Sequence, residues 1–199
     1  MSSIAKTSFF LVSNYHTYGI QHAMEHFLEH HHAKQICFLN HPLHAVPCDL
    51  SSTIVWYGGT VPNSMIKRKK LPIPLNYAVD VFITLQVGLK LKEPLDVYVG
   101  FNSMNTIPGL VLKLFGKVRK VVTYSHSVKD QRFAQPILNW LYKKIDLTAV
   151  HHSDFVWGLG SSLRRVRLSQ GVAAKYLERC VGLPRSGYGS KGGDYLSAI

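Results

Sequence analysis

The residues best suited to chemistry sit where apolar runs end. Tyr124-Ser125-His126-Ser127 places an imidazole between hydroxyls directly after an apolar run. A histidine there suits a proton carrier or a hydrogen-bond donor near neutral pH. It equally suits a structural histidine satisfied by neighbouring backbone. The loop fixes no carboxylate partner by spacing, although Asp130 and Arg132 are close in sequence. Asn14-Tyr-His-Thr-Tyr-Gly19 occupies the same kind of position after the first apolar run. Backbone N–H groups at a helix start there can face a phosphate. The segment has one glycine and lacks the Gly-x-Gly-x-x-Gly dinucleotide fingerprint, so an ordinary strand–helix turn explains it as well. His22, His26 and His30 recur every fourth residue, with His31 and His32 beside them. Such spacing can bind zinc, but it recruits no cysteine or carboxylate and lies opposite the apolar stripe, so it reads as a solvated helix face. His151-His152 reads as a favourable partner for a helix carboxyl end. No metal site is assigned.

The formal net charge is +12, from 23 Lys and Arg against 11 Asp and Glu. It points to an anionic partner: nucleic acid, a membrane surface or a phosphorylated ligand. The bases cluster at Lys67-Arg68-Lys69-Lys70, between Lys113 and Lys120, at Lys143-Lys144 and at Arg164-Arg-Val-Arg167. The first cluster lies between Val61-Pro-Asn-Ser-Met-Ile66 and Leu71-Pro-Ile-Pro, so bases adjoin apolar residues. That composition suits an anionic bilayer surface, at about 1 kcal/mol per base. There is no aromatic RNA-binding signature, zinc finger or clear helix-turn-helix, which ranks nucleic acid below membrane. Cys37, Cys48 and Cys180 are odd in number and widely spaced, a pattern of reduced thiols in a cytosolic protein. Leu71–Leu91 is broken by prolines and polar residues, and Phe9-Phe10-Leu11-Val12 is too short for a signal peptide. The expected location is the cytoplasm, with peripheral contact at the inner membrane face.

The elements that must position these residues alternate. Strands are predicted at Ser8–Ser13, Gln35–Leu39 and Thr53–Tyr57, then in three strand–helix units over 95–171. A first helix carries Ile20, Ala23, Met24, Phe27 and Leu28 on one face, and a largely apolar helix spans about Leu75–Leu89, expected to be buried. Short apolar strands alternating with amphipathic helices predict an α/β fold with a mostly parallel sheet of about six strands, covered on both faces. Ligands bind such sheets at the carboxyl ends of the strands. The domain is predicted over 1–177. The Gly-rich segment 178–199 has no apolar periodicity and is expected to be a disordered tail.

Residues 96–171 resemble the amino-terminal half of GT-B glycosyltransferases of the family-4/family-1 type. The resemblance rests on Gly100-Phe-Asn, Asn105, Gly109, Lys113, Gly116, Arg132-Phe, Leu138-Asn-Trp-Leu-Tyr142, Asp146 and Ser153-Asp-Phe-Val-Trp157. Ser161-Ser-Leu, Arg167 and Gly171 extend it, and over 1–95 the likeness is architectural only. It implies a Rossmann-like three-layer domain whose strand ends bind a glycan or lipid-linked acceptor. The implied acceptor contacts are Tyr18, Gly19, Asn102, Asn105, Ser125, Ser127 and Arg132. His126 maps onto a histidine that lies near the transferred sugar. Lys67–Lys70 and Leu71 would touch the membrane, and no metal or other cofactor is implied. GT-B enzymes carry a second, donor-binding domain, in which family-4 members often have two glutamates eight positions apart. Glu25, Glu29, Glu93 and Glu178 form no such pair. The chain is therefore expected to be an acceptor half, cut short by frameshift, truncation or gene split, and inactive without a separate donor-domain subunit. A non-catalytic module docking on membrane or on a subunit is the second reading. A different nucleotide-binding α/β protein is the third, disfavoured by the missing glycine fingerprint.

Overall fold

Strand β1, Ser8–Asn14, is apolar at four successive positions because both of its faces are covered. Phe9 and Leu11 pack on one side with Leu28 of helix α1 (Ile20–His30), while Phe10 and Val12 pack on the other. The computed structural model describes residues 3–14, 19–42, 51–58, 63–68, 71–125, 133–158, 161–169, 171–172 and 180–182. After β1 and α1 come β2 (Gln35–His41), β3 (Ser51–Tyr57) and β4 (Ser64–Lys67). Helix α2 (Ile73–Leu89), β5 (Leu95–Gly100), α3 (Ser103–Leu114) and β6 (Val118–Ser125) follow. Then come α4 (Pro136–His152), β7 (Phe155–Gly158), α5 (Ser161–Ser169) and β8 (Cys180–Gly182). One eight-stranded sheet has the order β4-β3-β2-β1-β5-β6-β7-β8. Strands β2, β1, β5, β6, β7 and β8 are parallel, and β3 and β4 run antiparallel at one edge.

Helix α1 covers one face over Ile36, Phe38, Val97 and Val99. The other face is covered by α2 and α3, whose Ile83 and Leu112 meet Phe10, Leu39, Tyr98 and Val121. Helix α4 packs beside α3. This is the α/β arrangement covered on both faces that the alternation of elements predicts, in the Rossmann-like three-layer form that the resemblance implies. Two glycines set the fit of α3 on the sheet. A Cβ on Gly109 would stand 2.3 Å from the Tyr98 ring, and one on Gly100 would stand 2.7 Å from the Thr106 backbone. Tyr98 donates from its hydroxyl to the Asn105 carbonyl, one residue after the Met104 carbonyl that Pro108 leaves without its helical N–H.

The predicted mostly parallel sheet of about six strands is present, with two short strands added at its edges. The predicted apolar stripe of α1 meets the core through Ile20, Met24, Phe27 and Leu28, and the helix also buries Gln21 and Glu25, whose carboxyl accepts a 2.8 Å hydrogen bond from the Tyr57 hydroxyl. Four expectations need correction. Ser64–Lys67, read as loop, pairs with β3, and Cys180–Gly182, read as tail, pairs with β7, so the domain passes residue 177. Helix α2 is covered on one side only, leaving Leu75, Phe82 and Leu89 exposed. Arg68, expected on a membrane surface, has a buried side chain turned toward α2. Among the described residues no helix is long and apolar enough to cross a membrane.

Candidate functional site

The strand order reverses direction at β1. From β1 the chain steps outward to β2, β3 and β4, and α2 then returns it to β5 on the opposite side of β1. Connections that leave in opposite directions open a crevice outside the carboxyl ends of the two strands, the usual ligand position in such sheets. Three asparagines meet there. Asn14 is the last residue of β1, and its Oδ1 accepts from Asn102 Nδ2 at 2.9 Å and from Asn105 Nδ2 at 3.1 Å. Asn102 Oδ1 in turn caps α3 by accepting the Asn105 N–H at 2.8 Å. Asn14 and Asn105 are buried, while Asn102 is half-buried.

A buried charged group adjoins them. Asn14 Nδ2 donates to Asp80 Oδ2 at 3.3 Å, and Arg68 Nη2 donates to Asp80 Oδ1 at 2.5 Å. The side chains of Arg68 and Asp80 are 5% and 3% exposed. Burial pushes the Arg68 guanidinium below its usual range, against the opposing pull of Asp80. His41, at the end of β2, lies 3.4 Å from Asp80 and is fully buried. Its Nε2 is 2.8 Å from the Thr84 hydroxyl, which already donates to the Asp80 carbonyl, so Nε2 carries the proton. In the neutral ring Nδ1 then accepts from the Ser52 hydroxyl at 3.0 Å.

A second polar cluster closes the carboxyl end of β6. Arg167 of α5 is fully buried and makes a two-point pair with Asp146 of α4, the longer contact being 3.0 Å. Asp146 also accepts from the Ser103 hydroxyl at the start of α3. Arg167 Nη2 lies 3.3 Å from Ser125 Oγ, the last residue of β6. The first turn of α3 thus feeds both clusters: Asn102 and Asn105 turn to β1, and Ser103 turns to α4 and α5.

Of the sequence-predicted acceptor contacts, the structure brings Asn102 and Asn105 together at the β1/β5 crevice. Ser125 sits in the β6 cluster, and Gly19 stands at the amino end of α1, where its carbonyl accepts from His22 and Ala23. Tyr18, His126, Ser127 and Arg132 lie outside the described residues, as do Lys69 and Lys70 of the basic cluster. Lys67 is exposed on β4. Sequence reasoning noted Asn14 only as the start of a loop whose backbone could face a phosphate, and gave no site role to His41, Asp80 or the Asp146–Arg167 pair. Asp80 was detectable as the one carboxylate in the apolar helix Ile73–Leu89, following a basic cluster. Nothing in the spacing of His41 or Asn14 identifies their partners, which arrive from 11 to 91 residues away. Among the described residues no three His, Cys, Asp or Glu side chains are grouped to hold a metal ion. The chain matches no protein-family model and no curated protein sequence.

Proposed function

We propose that this chain is the acceptor-binding half of a glycosyltransferase, taking a glycan or lipid-linked acceptor in the crevice between β1 and β5. The observation that carries this reading is the convergence of Asn14, Asn102 and Asn105 at the strand ends. Carboxamides donate and accept at once, which suits vicinal sugar hydroxyls. The order of residues shared with GT-B amino-terminal halves over 96–171 supports the same assignment. In transfer, the acceptor hydroxyl oxygen bonds to the anomeric carbon, the bond from that carbon to the nucleotide phosphate breaks, and the hydroxyl proton leaves. His126 is assigned to the neighbourhood of the transferred sugar, and a donor-binding domain on another stretch of chain or another subunit completes the reaction.

Saturation-transfer NMR with neutral oligosaccharides and a short-chain polyprenyl-linked disaccharide tests the reading. Acceptor binding that falls about tenfold in Asn102→Ala is the expected result, the size of one or two lost polar contacts. Binding of nucleotide-sugars with no binding of either acceptor would reverse the assignment.

A peripheral membrane position is the second part of the proposal. Leu75 and Phe82 of α2 and Ile137, Trp140 and Leu141 of α4 are exposed on the same side of the sheet, with Lys143 and Lys144 beside them. Tyr77, Phe133 and Tyr142 link the two helices through ring contacts of 6.4 and 6.2 Å. Apolar side chains fringed by bases match the interface of an anionic bilayer.

A further inference from the structure

We propose that Arg68 is an anion-recognition residue, and that an unpartnered guanidinium donor takes a phosphate group of a ligand in the crevice beside β1. Among the described residues only Asp80 engages the group, through Nη2, and Nε and Nη1 are buried with no hydrogen-bond partner. A buried donor without a partner costs about 1–3 kcal/mol, and more on a charged group. Native interiors rarely keep such donors without a use. Asp80 does not fully cancel the guanidinium, because the same carboxylate also accepts from Asn14 and faces His41. The group lies beside Asn14, at the carboxyl end of β1, where ligands of open α/β sheets bind.

A phosphate fits this setting. An anionic phosphate oxygen can accept from Nε or from Nη1, which lie on opposite sides within the guanidinium plane, while Asp80 keeps Nη2. The inference stands apart from the glycan reading: a crevice that binds phosphate and no glycan upholds this one and removes that one.

Isothermal titration of the full chain with inorganic phosphate, pyrophosphate and a short-chain polyprenyl phosphate tests the assignment. Saturable binding that falls at least about tenfold in Arg68→Lys is expected, since lysine keeps the charge but loses the fork. The double variant Lys90→Gln/Lys92→Gln, at two exposed bases, should bind within about twofold of the unmodified protein, which separates the site from general attraction to a basic surface. Asp80→Asn provides a readout of opposite sign that unfolding cannot imitate. It removes the competing carboxylate, so phosphate should bind more tightly and raise the melting temperature more than in the unmodified protein. Polyprenyl phosphate binding above inorganic phosphate would assign the group to a lipid-linked ligand, and equal affinities would assign the phosphate alone. Both uphold the site. Unchanged binding in Arg68→Lys, weaker binding in folded Asp80→Asn, or no saturable binding to any of the three probes would leave Arg68 a structural ion pair and overturn the proposal.

Discussion

Glu25 shows how one buried side chain shapes the response to pH. Its carboxyl faces the Tyr57 hydroxyl under the sheet, and burial pushes it above the ordinary value of 4.5, partly opposed by the tyrosine hydrogen bond and His26. The folded state therefore holds its proton more tightly than the unfolded chain does, so this group favours folding most below pH 4.5 and progressively less as pH rises through the folded value. Glu25→Gln keeps the acceptor and removes the charge. Thermal melts at pH 7 should show the variant about 2 °C more stable, with the gap closing as pH drops below 4.5. A gap of the same size at both pH values would exclude titration as its cause. Single residues were also where sequence reading reached least far. Arg68 reads as one of four bases expected at a membrane surface, and only the fold brings Asp80 within 2.5 Å of it. Gln21 and Glu25 lie outside the apolar stripe read for α1, and the hydroxyl that Glu25 meets comes from 32 residues downstream.

At the scale of elements, the amino ends of β1 and β5 are clamped by Asp96. Its Oδ2 accepts from the Ser8 N–H at 2.9 Å and the Ser8 hydroxyl at 2.8 Å, with Arg119 3.3 Å from its other oxygen. Burial raises this carboxyl, but the two Ser8 hydrogen bonds, Arg119 and Lys34 together hold it below 3.8. The sign is opposite to that of Glu25: the stabilisation is present above pH 3.8 and is lost as pH falls through the lower folded value. Asp96→Asn should lower the urea midpoint at pH 7, and the deficit should shrink below pH 3.8; an equal deficit at low pH would mean lost packing instead. Helix α3 depends on a different fit. Gly109→Ala drives a methyl into the Tyr98 ring, and a loss of about 1–3 kcal/mol in denaturant titration is expected, because both ring and helix are held by the Tyr98–Asn105 bond. Unchanged stability would show that α3 can shift on the sheet. The long elements were legible because apolar periodicity survives on their buried faces: α2 begins two residues before its predicted start, and β1 ends one residue past its predicted end. Strand β4 was not, since three of its four residues are exposed and carry no alternation. Strand β8 is three residues long, too short for any pattern.

For the molecule as a whole, the exposed apolar side chains of α2 and α4 and the +12 charge make a common prediction. Co-sedimentation with vesicles containing anionic lipid should exceed that with neutral vesicles, and Trp140→Ser with Lys143→Gln and Lys144→Gln should remove most of the difference. Equal binding to both vesicle types would refute an electrostatic contribution. The sheet architecture was readable from the sequence, because alternating strands and helices leave few ways to cover a parallel sheet. The position of the crevice was readable only in outline, since strand order is carried by long-range pairing. That order also governs how the domain comes to exist. Strand β1 can pair with β2 early, 27 residues on, but its other neighbour β5 lies 88 residues on, as does the Asn14–Asn102 contact. Closing so long a loop costs entropy before any contact repays it, and pairings of this separation slow folding. A nascent chain that has emerged only through α2 can build β1 to β4, yet it cannot have the asparagine crevice. Ligand binding there should therefore protect the fully assembled sheet alone.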